Sequence, residues 1–293
     1  WIKTPFKLMQ SVIQSMRVIR QVQPDVVLGM GGYASAPGGF AAWLLGKPLV
    51  LHEQNAVAGL SNRFLSMLAN KVLSAFPGAF KDSPKFQVVG NPLRSDIIAI
   101  ENVMPAEPST SKKVLVVGGS LGAQVLNTVV PQTVNQIKIQ HLNVWHQTGK
   151  GNQASVLASY QQYGLADNQI KVTEFIEDMA EAYRWADVVI CRAGALTVSE
   201  LAMAAKPAIF IPLPHAVDDH QTKNATYLVA KGAAKLIPQV DFNGTSLAQM
   251  LNSLFISDKV LQSMSKAAHN AAHADATIKV AQACAELVQQ RVS

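Results

Sequence analysis

The feature of this chain that most constrains its fold is a series of short apolar runs, each followed by a stretch with helical periodicity. Runs of this kind are typical of parallel strands that crossover helices bury on both faces. The ten runs are "DVVLG" at 25–29, "PLVLHE" at 48–53, "KVLSAF" at 71–76, "FQVVGN" at 86–91, "VLVVGG" at 114–119, "NVWHQTG" at 143–149, "KVTEFI" at 171–176, "DVVICRA" at 187–193, "PAIFIP" at 207–212 and "AAKLIP" at 233–238. The pattern predicts an α/β fold with its ligands beyond the carboxyl ends of the strands.

The length of 293 residues favours two domains. A break after the fourth run, "VMPAEPSTSKK" at 103–113, has the composition of a linker. We therefore expect two Rossmann-like, doubly wound parallel-sheet domains, residues 1–106 and 107–274. The Ala-rich segment from about 257 to 290 predicts one or two helices, and residues 275–293 are expected to pack back on the first domain as a C-terminal helix.

Cysteine content and hydropathy exclude several classes of protein. The two cysteines, Cys191 and Cys284, supply neither a disulfide framework nor a zinc pattern, which favours a reducing compartment. The sequence contains no run of about 18 apolar residues, so it predicts no transmembrane helix. The net charge of +6 is concentrated in residues 1–105, which hold ten Lys and Arg against five Asp and Glu.

The basic excess begins in a segment with helical spacing of apolar residues from Ile2 to Ile19. Its basic residues are Lys3, Lys7, Arg17 and Arg20. The segment predicts an amphipathic helix, for which packing on its own domain and contact with a membrane surface are both open interpretations. No nucleic-acid partner is expected, because no basic stripe interleaved with aromatic residues follows.

Two of the runs end directly in glycine loops. In "GMGGYASAPGG", Gly29-x-Gly31-x-x-Ala34 matches a dinucleotide fingerprint, and Glu53 is placed to bind a ribose, so an NAD-binding protein is one interpretation. Against it, Pro37 favours the first turn of a helix that opens later than the fingerprint requires. The loop "VVGGSLGAQ" at 116–124 lacks the fingerprint spacing, and no acid occurs between Glu107 and Asp167 to bind a cofactor ribose.

A third junction, "CRAGALT" at 191–197, again joins a strand to a helix through glycine. Glycine admits a ligand close to the backbone, and the positive end of a helix dipole favours phosphate. The three junctions together predict a phosphate-bearing ligand. Just beyond, Thr197-x-x-Glu200 fits a capping box, so Glu200 is either a helix cap or a ligand-binding carboxylate.

Two polar clusters also follow strands, "HEQN" at 52–55 and "HAVDDHQTKN" at 215–224. Their positions place them at the edge of a sheet where sites form. The histidines and aspartates of the second cluster match no specific metal-ligand spacing, so a polar substrate rim is the better interpretation and no metal is expected.

These segments together resemble the MurG family of bacterial glycosyltransferases. The resemblance runs through nearly the whole chain, in "GMGGYASAPGG", "HEQNAVAGLSN", "AFPGAF", "VVGNPLR", "VVGGSLGAQVLN", "WHQTGKG", "VTEFIEDMAEAYRWADVVICRAGALTVSELA" and "DDHQTKNA". It implies a two-domain GT-B fold without a cofactor. It also implies inverting transfer of N-acetylglucosamine from UDP-N-acetylglucosamine to the C4 hydroxyl of undecaprenyl-diphospho-N-acetylmuramoyl-pentapeptide (lipid I). The product is lipid II, made for peptidoglycan at the cytoplasmic face of the bacterial inner membrane.

The resemblance also implies which residues bind the substrates. The family's donor contacts fall on Asn55, Arg94, Ser120, Ile176, Ala195, Leu196, Thr197, Val198, Ser199, Glu200 and Gln221. Ser120 and the amides of 195–197 would hold the diphosphate, the main chain of Ile176 the uracil edge, and Glu200 the ribose hydroxyls. Asn55 and Gln221 would face the sugar. Glu53 and His52 are the acid–base candidates, and Tyr33 is expected on the acceptor side.

One family motif is missing. The family carries an earlier glycine loop of the form G-T-G-G-H, which does not occur here. We therefore expect a first domain incomplete at its N-terminus and weak or absent turnover, and the identity of the base stays open. An acceptor in an anionic membrane would attract the basic first helix. A UDP-sugar epimerase of related architecture, an NAD-binding Rossmann protein and a non-enzymatic interaction protein are the alternatives.

Overall fold

The computed structural model describes residues 4–100, 111–119, 121–137, 141–214 and 219–292. Contacts divide the chain into two compact units, Trp1–Pro92 with His273–Ser293, and Leu93–Ala272. The predicted linker at 103–113 falls mostly outside the described residues. The domain boundaries expected at 106 and 274 therefore stay predictions.

The first unit contains a four-stranded parallel sheet whose spatial order follows the chain. Its strands are β1 (Val27–Gly29), β2 (Leu49–Glu53), β3 (Lys71–Ser74) and β4 (Phe86–Val88). Its helices are α1 (Thr4–Val22), α2 (Ser35–Leu44), α3 (Leu60–Leu68) and, from the end of the chain, α12 (Ala276–Val292). Every residue of β2 is buried, as expected for a strand covered on both faces.

Alternation along the strands explains how the helices cover this sheet. Successive side chains of a strand point to opposite faces. Leu49 and Leu51 of β2 accordingly pack with Leu65 of α3, whereas Val50 packs with Val280 of α12. The C-terminal helix therefore completes the core of the first unit on the face opposite α3.

The predicted amphipathic helix is confirmed as α1, and only part of its apolar surface packs on its own unit. Ile19 joins Ala41 and Ala42 of α2 in a small core. Phe6 and Met9, by contrast, are 68% and 57% exposed. None of the helices in the described part of the chain has the length and apolarity needed to span a bilayer.

The second unit contains a six-stranded sheet in the order β7-β6-β5-β8-β9-β10, with every pairing parallel. Its strands are β5 (Lys112–Val117), β6 (Leu142–Gln147), β7 (Ile170–Thr173), β8 (Val188–Cys191), β9 (Ala208–Phe210) and β10 (Ala234–Leu236). Its helices are α4 (Ser95–Ile98), α5 (Gln124–Thr133), α6 (Gln153–Gln162), α7 (Met179–Trp185), α8 (Ala195–Met203), α9 (His220–Ala230), α10 (Gly244–Leu254) and α11 (Asp258–His269).

This order is the doubly wound one, in which the chain reverses direction across the sheet between β5 and β8. All ten predicted strands are present and both sheets are parallel, so the predicted α/β fold class is confirmed. The Ala-rich segment forms α11 and α12, as predicted. A reversal of this kind leaves a crevice at the carboxyl ends of the two strands that flank it.

Candidate functional site

The reversal in the second sheet brings two glycine junctions together. β5 and β8 are hydrogen-bonded neighbours, and their last residues, Val117 and Cys191, are paired. The turn at 118–123 and the turn at 192–194 therefore leave the sheet side by side. Both lead into helices, α5 and α8, whose first amides have no intrahelical acceptor.

The turn after β5 requires glycine for reasons of packing. Gly122 has a φ of +74°, and a Cβ built there would lie 2.2 Å from the carbonyl oxygen of Thr148. Gly119 is tied to β6 by two hydrogen bonds of 3.0 Å, from its N–H to Oε1 of Gln147 and from Nε2 of Gln147 to its carbonyl. Ser120, the expected diphosphate donor of this turn, lies outside the described residues. Tight packing thus accounts for Gly122, whichever ligand the turn binds.

A buried hydrogen-bond network, which the sequence did not reveal, lies next to this turn and holds the Thr148 carbonyl that Gly122 contacts. Nδ2 of Asn127 donates to the Thr148 carbonyl at 3.0 Å. Burial lowers the pKa of His146 to about 3, so its ring is neutral. Because Asn127 already uses Nδ2 as a donor, its Oδ1 accepts from Nε2 of His146 at 3.1 Å, and Nδ1 of His146 accepts from the Tyr160 hydroxyl at 2.8 Å.

The turn after β8 leads directly into α8, which begins at Ala195 behind the N-cap residue Gly194. No side chain caps this end. Thr197 and Glu200 are therefore the third and sixth helical residues, and the capping-box interpretation is wrong, because a box requires its Thr at the cap itself. The amides at the start of α8 lack intrahelical acceptors, and they coincide with the positive end of the helix dipole. Both lie just after the carboxyl end of β8.

The residues of α8 that are expected to contact the UDP-sugar differ in the burial and the hydrogen bonding of their side chains. The side chain of Val198 is fully buried, so it packs in the core, whereas Leu196 is 45% exposed. The hydroxyl of Ser199 donates to the Ala195 carbonyl at 3.1 Å. Contacts from this stretch to a ligand would therefore come mainly from the main chain of the first turn.

Glu200 lies one turn further along α8 and is half-buried. The hydroxyl of Tyr183, on α7, donates to its Oε2 at 2.8 Å. Burial raises the pKa of Glu200, while the Tyr183 hydrogen bond and the positive charge of Arg94 oppose that rise. Arg94 immediately precedes α4, which packs on α7 and α8. The fold thus brings together two predicted site residues that are far apart in sequence.

Two other predicted donor contacts also lie at the carboxyl edge of this sheet. Ile176 follows β7 and is only 5% exposed. Gln221 lies in the first turn of α9, where its Oε1 accepts from the Leu213 amide at 2.9 Å. The neighbouring residues 215–218 lie outside the described part of the chain. Elsewhere in the described ranges, no group of three or more His, Cys, Asp or Glu could hold a metal ion.

The carboxyl edge of the first sheet holds the predicted acid–base residues. Glu53 is buried and accepts four hydrogen bonds: Oε1 from the amide and Nδ2 of Asn55 at 3.0 and 3.3 Å, and Oε2 from the Gly59 amide and Nδ2 of Asn62 at 3.2 and 2.8 Å. This bonding fixes the loop between β2 and α3 and orients Asn55. It also leaves Glu53 little capacity to accept a proton from a substrate.

His52 and Tyr33 differ sharply in exposure. His52 is fully buried, its Nε2 donates to the Gly90 carbonyl at 2.8 Å, and burial lowers the pKa of its ring. Its Nδ1 is buried and has no hydrogen-bond partner in the described part of the chain. Tyr33 is 98% exposed in the loop between β1 and α2. α2 begins at Ser35, one residue past the dinucleotide fingerprint.

Comparison with protein families and solved structures gives consistent matches. Residues 113–280 match the model of the glycosyltransferase family 28 C-terminal domain, and residues 1–74 match that of the N-terminal domain. A curated relative from Colwellia psychrerythraea is 57% identical over 97% of this chain and 74% of its own length. That relative is named UDP-N-acetylglucosamine--N-acetylmuramyl-(pentapeptide) pyrophosphoryl-undecaprenol N-acetylglucosamine transferase.

Two solved structures show the same architecture. The crystal structure of MurG from Acinetobacter baumannii is 40% identical, with a TM-score of 0.83 over 96% of this chain and 79% of that one. A putative UDP-N-acetylglucosamine 2-epimerase from Listeria monocytogenes has a TM-score of 0.68 over 94% of this chain and 77% of that one at 16% identity. The second likeness shows a shared fold alone.

Proposed function

The chain belongs to glycosyltransferase family 28, and on this premise we propose that it is a hexosyltransferase that moves N-acetylglucosamine from UDP-N-acetylglucosamine to lipid I. The C4 hydroxyl of the muramoyl sugar attacks the anomeric carbon, the bond from that carbon to UDP breaks, and the acceptor proton passes to a base. The products are the inverted, β(1→4)-linked lipid II and free UDP. The reaction would supply the disaccharide precursor of peptidoglycan.

The observation that carries the proposal is the pair of adjacent junctions at the reversal of the second sheet, with Glu200 one turn behind them. The amides at the start of α8 supply positive charge where the leaving diphosphate becomes more negative. Ser120, from the sequence after β5, would add a hydroxyl donor. Since amides and the helix dipole can meet this charge, we propose no metal or other cofactor.

The remaining donor residues read the nucleoside and the sugar. We assign the main chain of Ile176 to the uracil edge and the carboxylate of Glu200 to the ribose hydroxyls. Arg94 lies near Glu200, where its charge favours both an ionised carboxylate and a bound diphosphate. Gln221, oriented by the Leu213 amide, is assigned to the sugar.

In the first unit we assign Asn55 to the transferred sugar and Tyr33 to the acceptor side. Glu53 and His52 stay the acid–base candidates. The four hydrogen bonds that Glu53 accepts favour a role in orienting Asn55 over direct proton transfer. Nδ1 of His52 has no hydrogen-bond partner among the described residues, but burial lowers the pKa of the ring, which weakens it as a base.

We further propose that the chain works as a peripheral protein at the cytoplasmic face of the bacterial inner membrane. The first helix supports this location, because Phe6, Met9 and Ile13 of α1 are exposed beside the cations Lys7 and Arg17. Binding to anionic vesicles should weaken as salt rises. Absent binding, or binding that salt leaves unchanged, would contradict this location.

The experiment that tests the function combines binding with product analysis. Calorimetry should detect UDP and UDP-N-acetylglucosamine but not NAD. Since weak or absent turnover is expected, binding is the primary readout, and whatever turnover occurs with lipid I should yield lipid II and UDP. Conversion of the donor to its 2-epimer would favour the epimerase alternative. Binding of NAD, or of no nucleotide at all, would overturn the proposal.

A further inference from the structure

Tyr183 is a buried tyrosine whose hydroxyl is committed to the candidate site. It lies on α7 with only 1% of its surface exposed. A buried hydroxyl needs a hydrogen-bond partner, and here the partner is the carboxylate of Glu200, on a different helix. A backbone carbonyl could also accept from such a hydroxyl. The hydrogen bond to a carboxylate of the candidate site therefore suggests a role at that site.

The hydrogen bond from Tyr183 makes the two oxygens of the Glu200 carboxylate different. Oε2 accepts from Tyr183 at 2.8 Å. No hydrogen bond to Oε1 occurs among the described residues. An ionised carboxylate offers about four lone-pair sites, so the oxygen without a protein donor keeps its capacity for a ligand. The same hydrogen bond holds the Glu200 side chain, which has several rotatable bonds, in one orientation.

We propose that Tyr183 is a positioning residue of the nucleotide site: its hydroxyl fixes Oε2 of Glu200 so that Oε1 faces the ribose hydroxyls of a uridine nucleotide. This inference rests on the proposed function, because it requires a ligand that carries a ribose. Tyr183 itself touches no ligand and acts through Glu200 alone.

The charges around Glu200 give this hydroxyl a second effect. The charged and titratable groups that face Glu200 are Arg94 at the N-cap of α4, Asp96 in its first turn, Tyr183 on α7 and Cys191 at the end of β8. Burial raises the pKa of Glu200, and the Tyr183 hydrogen bond is the largest opposing influence. The same hydrogen bond therefore keeps the carboxylate ionised toward lower pH.

The decisive variant is Tyr183→Phe, which removes the hydroxyl and keeps the buried ring. A matched control is Tyr227→Phe, because the hydroxyl of Tyr227 on α9 donates to the Ala271 carbonyl at 2.9 Å, away from Glu200. Both variants lose a tyrosine hydroxyl that donates a hydrogen bond, so both should lower the melting temperature. Only Tyr183→Phe should affect nucleotide recognition.

The measurement is the calorimetric Kd of UDP and of 2′-deoxy-UDP for the whole chain at neutral pH. The unaltered chain should prefer UDP by about tenfold, the worth of a hydrogen bond from a hydroxyl to a charged acceptor. Tyr183→Phe should weaken UDP binding by about threefold to tenfold and reduce that preference. In a Glu200→Gln background the same change should have no further effect on UDP affinity, because the two residues act as one unit.

A pH series separates positioning from packing. Without the hydroxyl, the pKa of Glu200 rises further, so the affinity ratio between the unaltered chain and Tyr183→Phe should widen as pH falls. Dividing the two affinities cancels the titration of the nucleotide phosphate. A purely structural role would lower both affinities by one factor at every pH.

The outcomes distinguish the two proposals. If the unaltered chain binds no UDP, the proposed function fails. If it binds UDP and Glu200→Gln weakens binding, while Tyr183→Phe keeps the affinity, the preference for UDP and the pH profile of the unaltered chain, the function stands and the role of Tyr183 is overturned. A pH-independent loss shared equally by both nucleotides also overturns it.

Discussion

Two carboxylates, Glu53 and Glu200, lie near the carboxyl edges of the two parallel sheets and differ in how the protein uses them. Glu53 accepts four hydrogen bonds from the loop that follows it. Among the described residues, Glu200 accepts one, from Tyr183. Since a carboxylate offers about four lone-pair sites, the protein itself saturates Glu53 and leaves capacity on Glu200. The number of protein donors therefore favours a structural role for Glu53 and the proposed ligand-binding role for Glu200.

The topology of the two sheets agrees with this difference. The described strands of the first sheet follow one another in chain order, whereas the second sheet reverses between β5 and β8. A reversal opens a crevice between neighbouring strand ends. Glu200 belongs to the helix that leaves this crevice, and Glu53 ends a strand whose neighbours on both sides come next to it in the chain.

The largest expected effect is on stability, from Glu53→Ala. The change removes the acceptor of the hydrogen bonds that Asn55, Gly59 and Asn62 donate in a half-buried loop. We expect the free energy of unfolding to fall by about 3 kcal/mol, while the Kd for UDP changes by less than about twofold. Chemical denaturation and calorimetry measure the two quantities. A large loss of UDP affinity with unchanged stability would break the comparison, because it would make Glu53 the ligand-binding carboxylate.

A smaller loss of stability is expected from Gly122→Ala in the turn after β5. The new Cβ would meet the Thr148 carbonyl oxygen at 2.2 Å, and the left-handed backbone adds strain, so unfolding should become easier by about 2 kcal/mol or more. Gly119→Ala is the matched control, because Gly119 has a φ of +83° but nothing within 4 Å of its added Cβ. Equal losses for the two variants would show that the contact with Thr148 does not constrain the turn.

A pH effect on stability is expected to be smaller and to involve one histidine of the second unit. The folded-state pKa of His146 is lowered to about 3, below the ordinary 6.5. Below about pH 6.5 the unfolded chain binds a proton that the folded chain does not, so this contribution to stability falls as pH falls. Between about pH 7 and pH 5.5 the loss should be about 1.3 kcal/mol.

Denaturation of the unaltered chain and of His146→Gln at both pH values isolates this contribution. The unaltered chain should lose more stability on acidification than the variant does. Burial also lowers the pKa of His52 in the first unit, so part of the pH dependence should remain in the variant. An identical pH dependence in both proteins would mean that His146 is not held neutral in the folded state.

The sequence predicted the strands well and the bonding of the site poorly. Buried parallel strands such as β2 and β8 are continuous apolar runs, and glycines mark the turns that follow, so local pattern was sufficient. The pattern Thr197-x-x-Glu200 was misleading, because Gly194 rather than Thr197 starts the helix. The hydrogen bond from Tyr183 and the donors to Glu53 depend on tertiary packing, which leaves no fixed spacing in the sequence.

The most direct test of this account is a single calorimetric and thermal comparison of Glu200→Gln with the unaltered chain. The account predicts that the Kd for UDP rises by about tenfold or more, because a hydrogen bond to a charged acceptor is lost. It also predicts a nearly unchanged melting temperature, because the amide can still accept from Tyr183. An unchanged Kd with a clearly lowered melting temperature would contradict it and make Glu200, like Glu53, a structural carboxylate.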